Sequence, residues 1–401
     1  MKWKFLALAA LSVNALADDT AMLSHVADLG LAIYQDSLSS AQALAAANRA
    51  LVASPSVETL TAARQAWVNS RTAYQQSEAF RFGNPVVDAF EGQVNAWPLD
   101  EGLIDYVAED AAFEVSENGY ALANVIANPQ LTLGSEVLDF STITADSLGQ
   151  LHEAGGNEAN VAQGYHAIEF LLWGQDLNGL EAGAGDRPWT DYSTTHCTNG
   201  NCARRGDYLT AASDLMVRDL EGIVAAFELG GAGRQAVMDG GVESLLTGLG
   251  SLTYGELAGQ RTQLGYLLQD PEEEHDCFSD NTHFSHFYDV QGIRNLWTGG
   301  YRRLDGTLIS GPGLMSWLQG QSDALAAQVQ ASLDEASIAA SELVRVAVHE
   351  MAYDQMLGQQ HPVVPRFVDA LVGHAKDIEA VVAELELENV TIEGSDSLAA
   401  N

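Results

Sequence analysis

Apolar residues recur at helical spacing along most of the chain. A first series, with intervals of three to five residues, consists of Met22, Val26, Leu29, Ile33 and Leu38. Further series of this kind predict helices over residues 60–74, 151–173, 208–227, 242–268, 314–357 and 365–387. Strand-like patterns are confined to the short candidates 131–133 and 137–140. Long helices joined by loops, without a regular alternation of strands and helices, are typical of helical bundles.

A long loop over residues 178–207, rich in Gly, Asp, Asn and Thr, divides the helical pattern into two halves. The 401 residues are enough for two or three domains, at roughly 150 residues each. We therefore predict an all-α protein with two bundles, over residues 18–190 and 205–390, and a polar tail over 391–401. The similar make-up of the halves suggests a diverged duplication, although no clear internal repeat establishes one.

The charge balance is strongly acidic. Asp and Glu number 55 against 18 Lys and Arg, which gives a formal net charge of −37. Proteins that bind nucleic acids need a basic patch or stripe, so we expect no nucleic-acid partner. The acidity is compatible with cations as ligands, with a saline environment, or simply with solubility.

The first 17 residues have the pattern of a secretory signal. Lys2 and Lys4 precede an apolar stretch from Phe5 to Val13, and Ala15-Leu16-Ala17 forms a cleavage site. The apolar stretch is far shorter than the roughly 20 residues that cross a bilayer. We predict a cleaved signal peptide over 1–17, an exported protein, and no transmembrane segment.

Export permits disulfides, and the chain contains three cysteines. Cys197 and Cys202 flank Thr198-Asn199-Gly200-Asn201, a turn-forming stretch that favours a disulfide between them. A zinc site that also uses His196 is the alternative. Cys277 is then left over, as a buried or a reactive thiol.

The strongest candidate chemistry lies in the segment Gly164-Tyr165-His166-Ala167-Ile168-Glu169. Because residues i and i+3 share a helix face, the His166 imidazole and the Glu169 carboxylate should lie together. This ligand pair suits iron, copper or zinc. The alternative is a core histidine that is merely hydrogen-bonded to a glutamate. The apolar neighbours favour a metal, because a buried Glu needs a cation or a proton to offset its desolvation.

Other acidic segments are candidates to complete such a site. Glu78 lies among aromatic residues, and Asp100 and Asp105 lie in apolar settings. Each alone is typical of a helix cap or a surface acid. The acidic and histidine-rich stretch 272–286 is a candidate for a second metal; its alternative is a solvated loop in which Asp280 caps the next helix.

With these motifs, the chain resembles the imelysin family, which includes iron-regulated protein A and carries a G-x-H-x-x-E signature. The segments that carry the resemblance are 77–83, 164–176, 255–259 and 277–283. It implies a pair of four-helix-bundle domains, a periplasmic or outer-membrane-associated location, and a role in iron uptake or sensing. Similarity to the metal-binding domains of ferrous-uptake systems adds Glu78 and Asp100 to the ligand set, with Asp105 as a further candidate.

We therefore favour a non-enzymatic protein that captures iron with Glu78, Asp100, His166 and Glu169. Zinc or copper is an alternative metal, and a membrane component of iron uptake is an expected partner. The family was first described as insulin-cleaving peptidases, so a metallopeptidase using His166 and Glu169 is the alternative function. The chain lacks the H-E-x-x-H motif of helix zincins, because no second histidine follows His349-Glu350 at that spacing. A haem or small ligand between the bundles, held by Tyr165 or His166, is a third hypothesis.

Overall fold

Helices dominate the computed structural model, which describes residues 4–108, 118–133 and 136–399, and the all-α prediction is confirmed. The α-helices are α1 (Lys4–Ala53), α2 (Val57–Tyr74), α3 (Pro85–Val94), α4 (Glu101–Ile104), α5 (Ala145–Leu151), α6 (Gly164–Trp173), α7 (Cys202–Phe227), α8 (Ala232–Ser251), α9 (Leu264–Leu268), α10 (Thr282–Thr298), α11 (Leu314–Gln321), α12 (Asp323–His349), α13 (Tyr353–Gly358), α14 (Val363–Glu384) and α15 (Asp396–Ala399). A π-helix (Leu252–Gln263) joins α8 to α9, and short 3₁₀ helices cover Gln75–Phe80, Ala154–Gly156, Trp189–Tyr192 and Pro271–Glu273.

Two small antiparallel strand pairs complete the described part of the fold. Strands β1 (Gln130–Leu133) and β2 (Glu136–Asp139) pair with Leu131 opposite Leu138, close to the two predicted strand segments. Strands β3 (Gly300–Arg302) and β4 (Leu308–Ser310) were not expected from the sequence. Three-residue strands are too short to show an alternating pattern.

The predicted helix over residues 151–173 is wrong in its first half. Helix α5 ends at Leu151, and α6 begins only at Gly164. Between them, Glu153, Gly155 and Gly156 have φ values of 53°, 77° and 71°, in the left-handed region. The helical path ends already at His152, which is extended, and the left-handed residues after it keep the chain from resuming a helix although apolar residues continue beyond them.

Helix α1 is the centre of the larger hydrophobic core. It packs against α2, α7 and α8, and its buried face contains Val26, Leu29 and Ile33. A second core lies where α10, α12, α14 and the π-helix meet, and contains Leu343 and Phe367. Helix α7 packs against α1, α3, α5 and α6 as well as α8. The division of the chain into bundles at 178–207 remains a prediction.

The loop before α7 is fastened covalently. Cys197 and Cys202 form the predicted disulfide, with their Cα atoms 5.8 Å apart. Cys277 is a free, buried cysteine, and burial raises the pKa of its thiol well above the usual value. A thiol that stays protonated is a poor nucleophile, so Cys277 fits the buried rather than the reactive alternative.

The polar tail lies along α8 and the π-helix. The Thr391 backbone N–H donates to Thr247 Oγ1 at 3.2 Å, and the Ser397 hydroxyl donates to Gly259 O at 3.0 Å. Across the described ranges, no helix is both long enough and apolar enough to cross a membrane.

Candidate metal centre

A glycine that no other residue can replace without strain places α6 at the end of α3. Gly164 has φ +84°, and a Cβ atom there would lie 2.5 Å from Val94 O. Both the left-handed backbone and the close approach require glycine. Every residue of α6 is buried, so this helix carries its histidine and glutamate into the core.

His166 and Glu169 lie side by side on α6. His166 Nδ1 is 2.9 Å from Glu169 Oε2, and both side chains are buried. The other carboxylate oxygen, Oε1, accepts from the Ser279 backbone N–H at 3.0 Å and from its hydroxyl at 2.6 Å. Nε2 of His166 is buried without a hydrogen-bond partner. Metal-binding histidines are commonly held in this way, with a carboxylate on one ring nitrogen and the other nitrogen left for the ion.

The protonation states of this pair follow from burial. Burial lowers the pKa of His166 to about 3, and the positive charge of Arg71 acts in the same direction. His166 is therefore neutral at ordinary pH, as a metal ligand must be. Burial, followed by the negative charge of Asp276, raises the pKa of Glu169 well above its usual value. A neutral imidazole and a protonated carboxyl thus share the hydrogen bond between Nδ1 and Oε2, and a metal ion that binds Nε2 would displace one proton from the pair.

Two residues from a distant segment complete a group around His166. The rings of His166 and His275 have centroids 4.8 Å apart. One ligand atom from each of His166, His275 and Asp276 lies within 4.8 Å of the others, and all three residues are buried. His275 Nδ1 also lacks a hydrogen-bond partner. Two imidazoles and one carboxylate form the donor set found around non-haem ferrous iron.

Asp276 is the charged member of this group. Burial acts to raise the pKa of its carboxyl, but the positive charge of Arg71 holds the pKa below its usual value. Its Oδ1 accepts from Arg71 Nη2 at 3.0 Å, and its Oδ2 accepts from the Asn281 amide and the Ser285 hydroxyl. Asp276 is therefore an ionised carboxylate in a fixed position.

The alternative prediction of a solvated loop over 272–286 is wrong for its central part. Glu274, His275 and Asp276 are buried, as is His286. Asp280 does not cap α10; Asn281 lies at the N-cap position, and Asp280 Oδ2 accepts from Gly183 N at 3.2 Å. The histidine-rich composition of this stretch was the sequence signal for metal binding, but it did not indicate that His275 would lie next to His166.

The other sequence-predicted ligands lie outside this three-residue group. Glu78 is buried, and its Oε2 accepts from Arg261 Nη2 at 2.8 Å. Asp100 Oδ2 accepts from the Asn118 amide at 2.6 Å. Asp105 binds Arg187 and Arg205, with oxygen–nitrogen distances of 2.7 and 2.6 Å. Their assignment as metal ligands stays a prediction.

A cleft of about 480 Å³ opens beside His275. Its lining includes Trp97, whose ring meets the His275 ring edge-on, with centroids 5.7 Å apart. The charged residues of the lining are Arg81, Arg261, Asp88, Glu91, Glu153, Glu158 and Glu256. The five carboxylates outnumber the two arginines, so the cleft attracts cations toward His275.

Comparison with known proteins identifies the family to which the chain is similar. The family model "Peptidase_M75: Imelysin" matches residues 30–364. A 50-residue segment is 42% identical to "Iron-regulated protein A" of Synechococcus elongatus, and it covers 12% of this chain and 14% of that protein. A crystal structure from Parabacteroides distasonis, described as a proposed iron-regulated protein A precursor, matches with a TM-score of 0.64 at 16% identity. That match covers 92% of this chain and 95% of the other, and it supports the fold.

Proposed function

Because the chain belongs to the imelysin family, we propose that it is an exported protein that captures ferrous iron. The ligands are His166, His275 and Asp276, and the Glu169 carboxylate positions the His166 ring. One observation carries this proposal: the buried, unpartnered Nε2 of His166 lies in a group with a second imidazole and an ionised carboxylate.

The chemistry of the donor set favours a first-row transition metal. Neutral imidazoles bind such ions well, whereas calcium and magnesium prefer oxygen ligands alone. Zinc and copper bind the same donors, and copper generally binds more tightly than iron, so affinity alone does not select iron. The names of the related proteins, which refer to iron regulation, support iron as the cargo.

The same geometry favours iron capture over peptide hydrolysis. A metallopeptidase needs a base positioned to deprotonate a metal-bound water. Glu169, the carboxylate next to His166, is buried, and its oxygens are bound to His166 and Ser279. It therefore acts on the imidazole rather than on a water, which is a positioning role.

Export is supported by two features. Residues 1–17 have the signal-peptide pattern described above, and Cys197 and Cys202 form a disulfide. Disulfides persist in oxidising compartments such as the periplasm. In that location, a capture protein would deliver its iron to a membrane component of iron uptake.

Anaerobic calorimetry with ferrous iron tests the proposal. We expect His166→Gln and His275→Gln each to weaken iron binding roughly 100-fold or more, and Glu169→Gln to weaken it by about 10- to 100-fold. The matched control is His374→Gln: His374 is equally buried, but both its ring nitrogens are hydrogen-bonded and it lies outside the group. This control should bind iron like the wild type.

Two further arms separate the competing hypotheses. Glu78→Gln and Asp100→Asn should leave iron affinity nearly unchanged; a loss in both variants, with retention in His275→Gln, would favour the ligand set expected from the sequence. A peptide-hydrolysis assay with and without chelator tests the alternative activity. Robust peptide hydrolysis that disappears in His166→Gln would overturn the iron-capture proposal and favour a metallopeptidase.

A further inference from the structure

Most buried carboxyl groups in the described part of this protein lie beside a basic side chain. Eight of the ten buried Asp and Glu side chains in the described ranges lie within 4.0 Å of an arginine or histidine nitrogen: Asp36, Glu78, Glu91, Asp105, Glu169, Asp191, Asp276 and Asp289. The two exceptions are Glu274 and Asp354. An unpaired buried carboxylate is costly, so these two require an explanation.

Glu274 and Asp354 are also poorly satisfied by hydrogen bonds. Neither oxygen of Glu274 has a hydrogen-bond partner of normal geometry, and Oδ2 of Asp354 has none. Each residue is 1% exposed. The Asp354 charge acts on Glu274: burial, followed by that charge, raises the pKa of the Glu274 carboxyl well above its usual value. Both groups are buried, and within the described ranges neither lies within 4.0 Å of an arginine, lysine or histidine nitrogen.

Two more carboxylates complete the cluster. One oxygen from each of Asp176, Asp280 and Asp354 lies within 4.8 Å of the others. Asp176 Oδ1 accepts from the Asn178 backbone and side chain at 2.9 and 2.8 Å, which fixes its direction. Asp280 uses Oδ2 for Gly183 N, and its Oδ1 is buried without a partner.

We propose that Asp176, Asp280, Asp354 and Glu274 form a binding site for a calcium ion, separate from the metal centre. Four carboxylates without a nitrogen or sulfur donor suit a hard cation. Calcium fits better than magnesium, because three of the ligands lie on loops of irregular geometry, and magnesium demands near-ideal octahedral coordination.

The pKa values of the carboxyl groups in this cluster agree with a cation-binding role. Burial, followed by the charges of Asp354 and Asp176, raises the pKa of Asp280 to about 7. Burial also raises the pKa of Asp354 to about 6. Carboxyls that are hard to ionise in the absence of a cation become full ligands when one is bound, because its charge offsets their repulsion.

The bound ion would join distant parts of the chain. Asp176 follows α6, Asp280 precedes α10, and Asp354 lies in the first turn of α13. Segment 274–281 also carries His275 and Asp276 of the metal centre. A calcium ion would therefore hold this segment against the loop after α6 and against α13.

Calorimetry and thermal unfolding of the full chain, treated with chelator and titrated with calcium, test the site. We expect one equivalent to bind with a Kd at or below about 1 mM, and the melting temperature to rise with calcium. Asp354→Asn should bind calcium at least about tenfold more weakly, since it removes a charged ligand. Without calcium it should be at least as stable as the wild type, because the substitution removes an uncompensated charge. Weaker calcium binding together with undiminished stability in the absence of calcium would identify Asp354 as a ligand rather than a residue needed only for folding.

Two variants serve as controls. Asp369→Asn removes an exposed carboxylate on α14 and should bind calcium like the wild type. His166→Gln should also retain calcium binding, which separates this proposal from the iron centre. No binding heat and no change in melting temperature for the wild type at millimolar calcium would overturn the site. Unchanged affinity in both Asp354→Asn and Asp280→Asn would overturn it as well.

Discussion

His374 on α14 should make the folding stability depend on pH below neutrality. The side chain is buried; the Trp297 indole N–H donates to its Nε2 at 3.1 Å, and its Nδ1 is 3.0 Å from the Ser332 hydroxyl. Because an indole can only donate, Nε2 must be unprotonated in the folded protein. The ring is then neutral, with its proton on Nδ1. Burial lowers the pKa of His374 to about 4.

The magnitude follows from the difference between folded and unfolded states. The unfolded pKa is about 6.5, so a folded value of about 4 is a shift of roughly 2.5 units, or about 3 kcal/mol at 1.36 kcal/mol per unit. Between these two values the unfolded chain binds a proton that the folded chain does not. The free energy of unfolding is therefore unaffected above about pH 6.5 and falls as the pH is lowered toward about 4.

Urea denaturation of the wild type and of His374→Gln measures this contribution. Glutamine offers an oxygen acceptor and an amide donor but does not titrate. Other buried histidines also titrate, so the informative quantity is the difference in unfolding free energy between the two proteins. That difference should be largest near pH 7 and should shrink by up to about 3 kcal/mol near pH 4. An unchanged difference across this range would refute the reasoning, as would an NMR titration that gives a folded pKa near 6.5.

The remaining predictions concern the backbone and the cysteines. Gly164→Ala should destabilise the protein by about 3 kcal/mol, because alanine must adopt a left-handed backbone and its Cβ would approach Val94 O; Gly373→Ala, on a helix with open space around the site, should be neutral or stabilising by comparison. Equal urea midpoints for these two variants would contradict this. Replacing both Cys197 and Cys202 by serine should lower the free energy of unfolding by about 2 kcal/mol, since the closed loop is short; an unchanged midpoint would contradict it. In native protein, mass spectrometry should find Cys277 unmodified by an alkylating agent until the chain is unfolded, because the thiol is buried.

Local features of the site were predictable from the sequence, because they depend on residues close together in the chain. The i, i+3 spacing correctly predicted that His166 and Glu169 share a helix face. The turn-forming residues between Cys197 and Cys202 correctly predicted the disulfide. The pattern failed at residues 151–163, where the extended His152 and the left-handed Glu153, Gly155 and Gly156 interrupt the helix despite the apolar spacing.

Features that depend on tertiary packing were not predictable. The pairing of Glu78 with Arg261, 183 positions along the chain, depends on tertiary packing and leaves no local signal in the sequence. Likewise, His275 reaches His166 only because the loop before α10 folds over α6, where Ser279 binds Glu169. A sequence pattern indicates that a buried charge needs a partner, but it does not identify that partner.

The loop over residues 274–280 supplies side chains to two separate groups, and this limits how its length can vary. His275, Asp276 and Ser279 contact the residues around the metal centre, whereas Glu274 and Asp280 belong to the acidic cluster near α13. Surface loops generally tolerate insertions and deletions. Here, removal of one residue would shift every later side chain by one position and misplace ligands of both groups at once. This loop should therefore keep a fixed length even where its neighbours change.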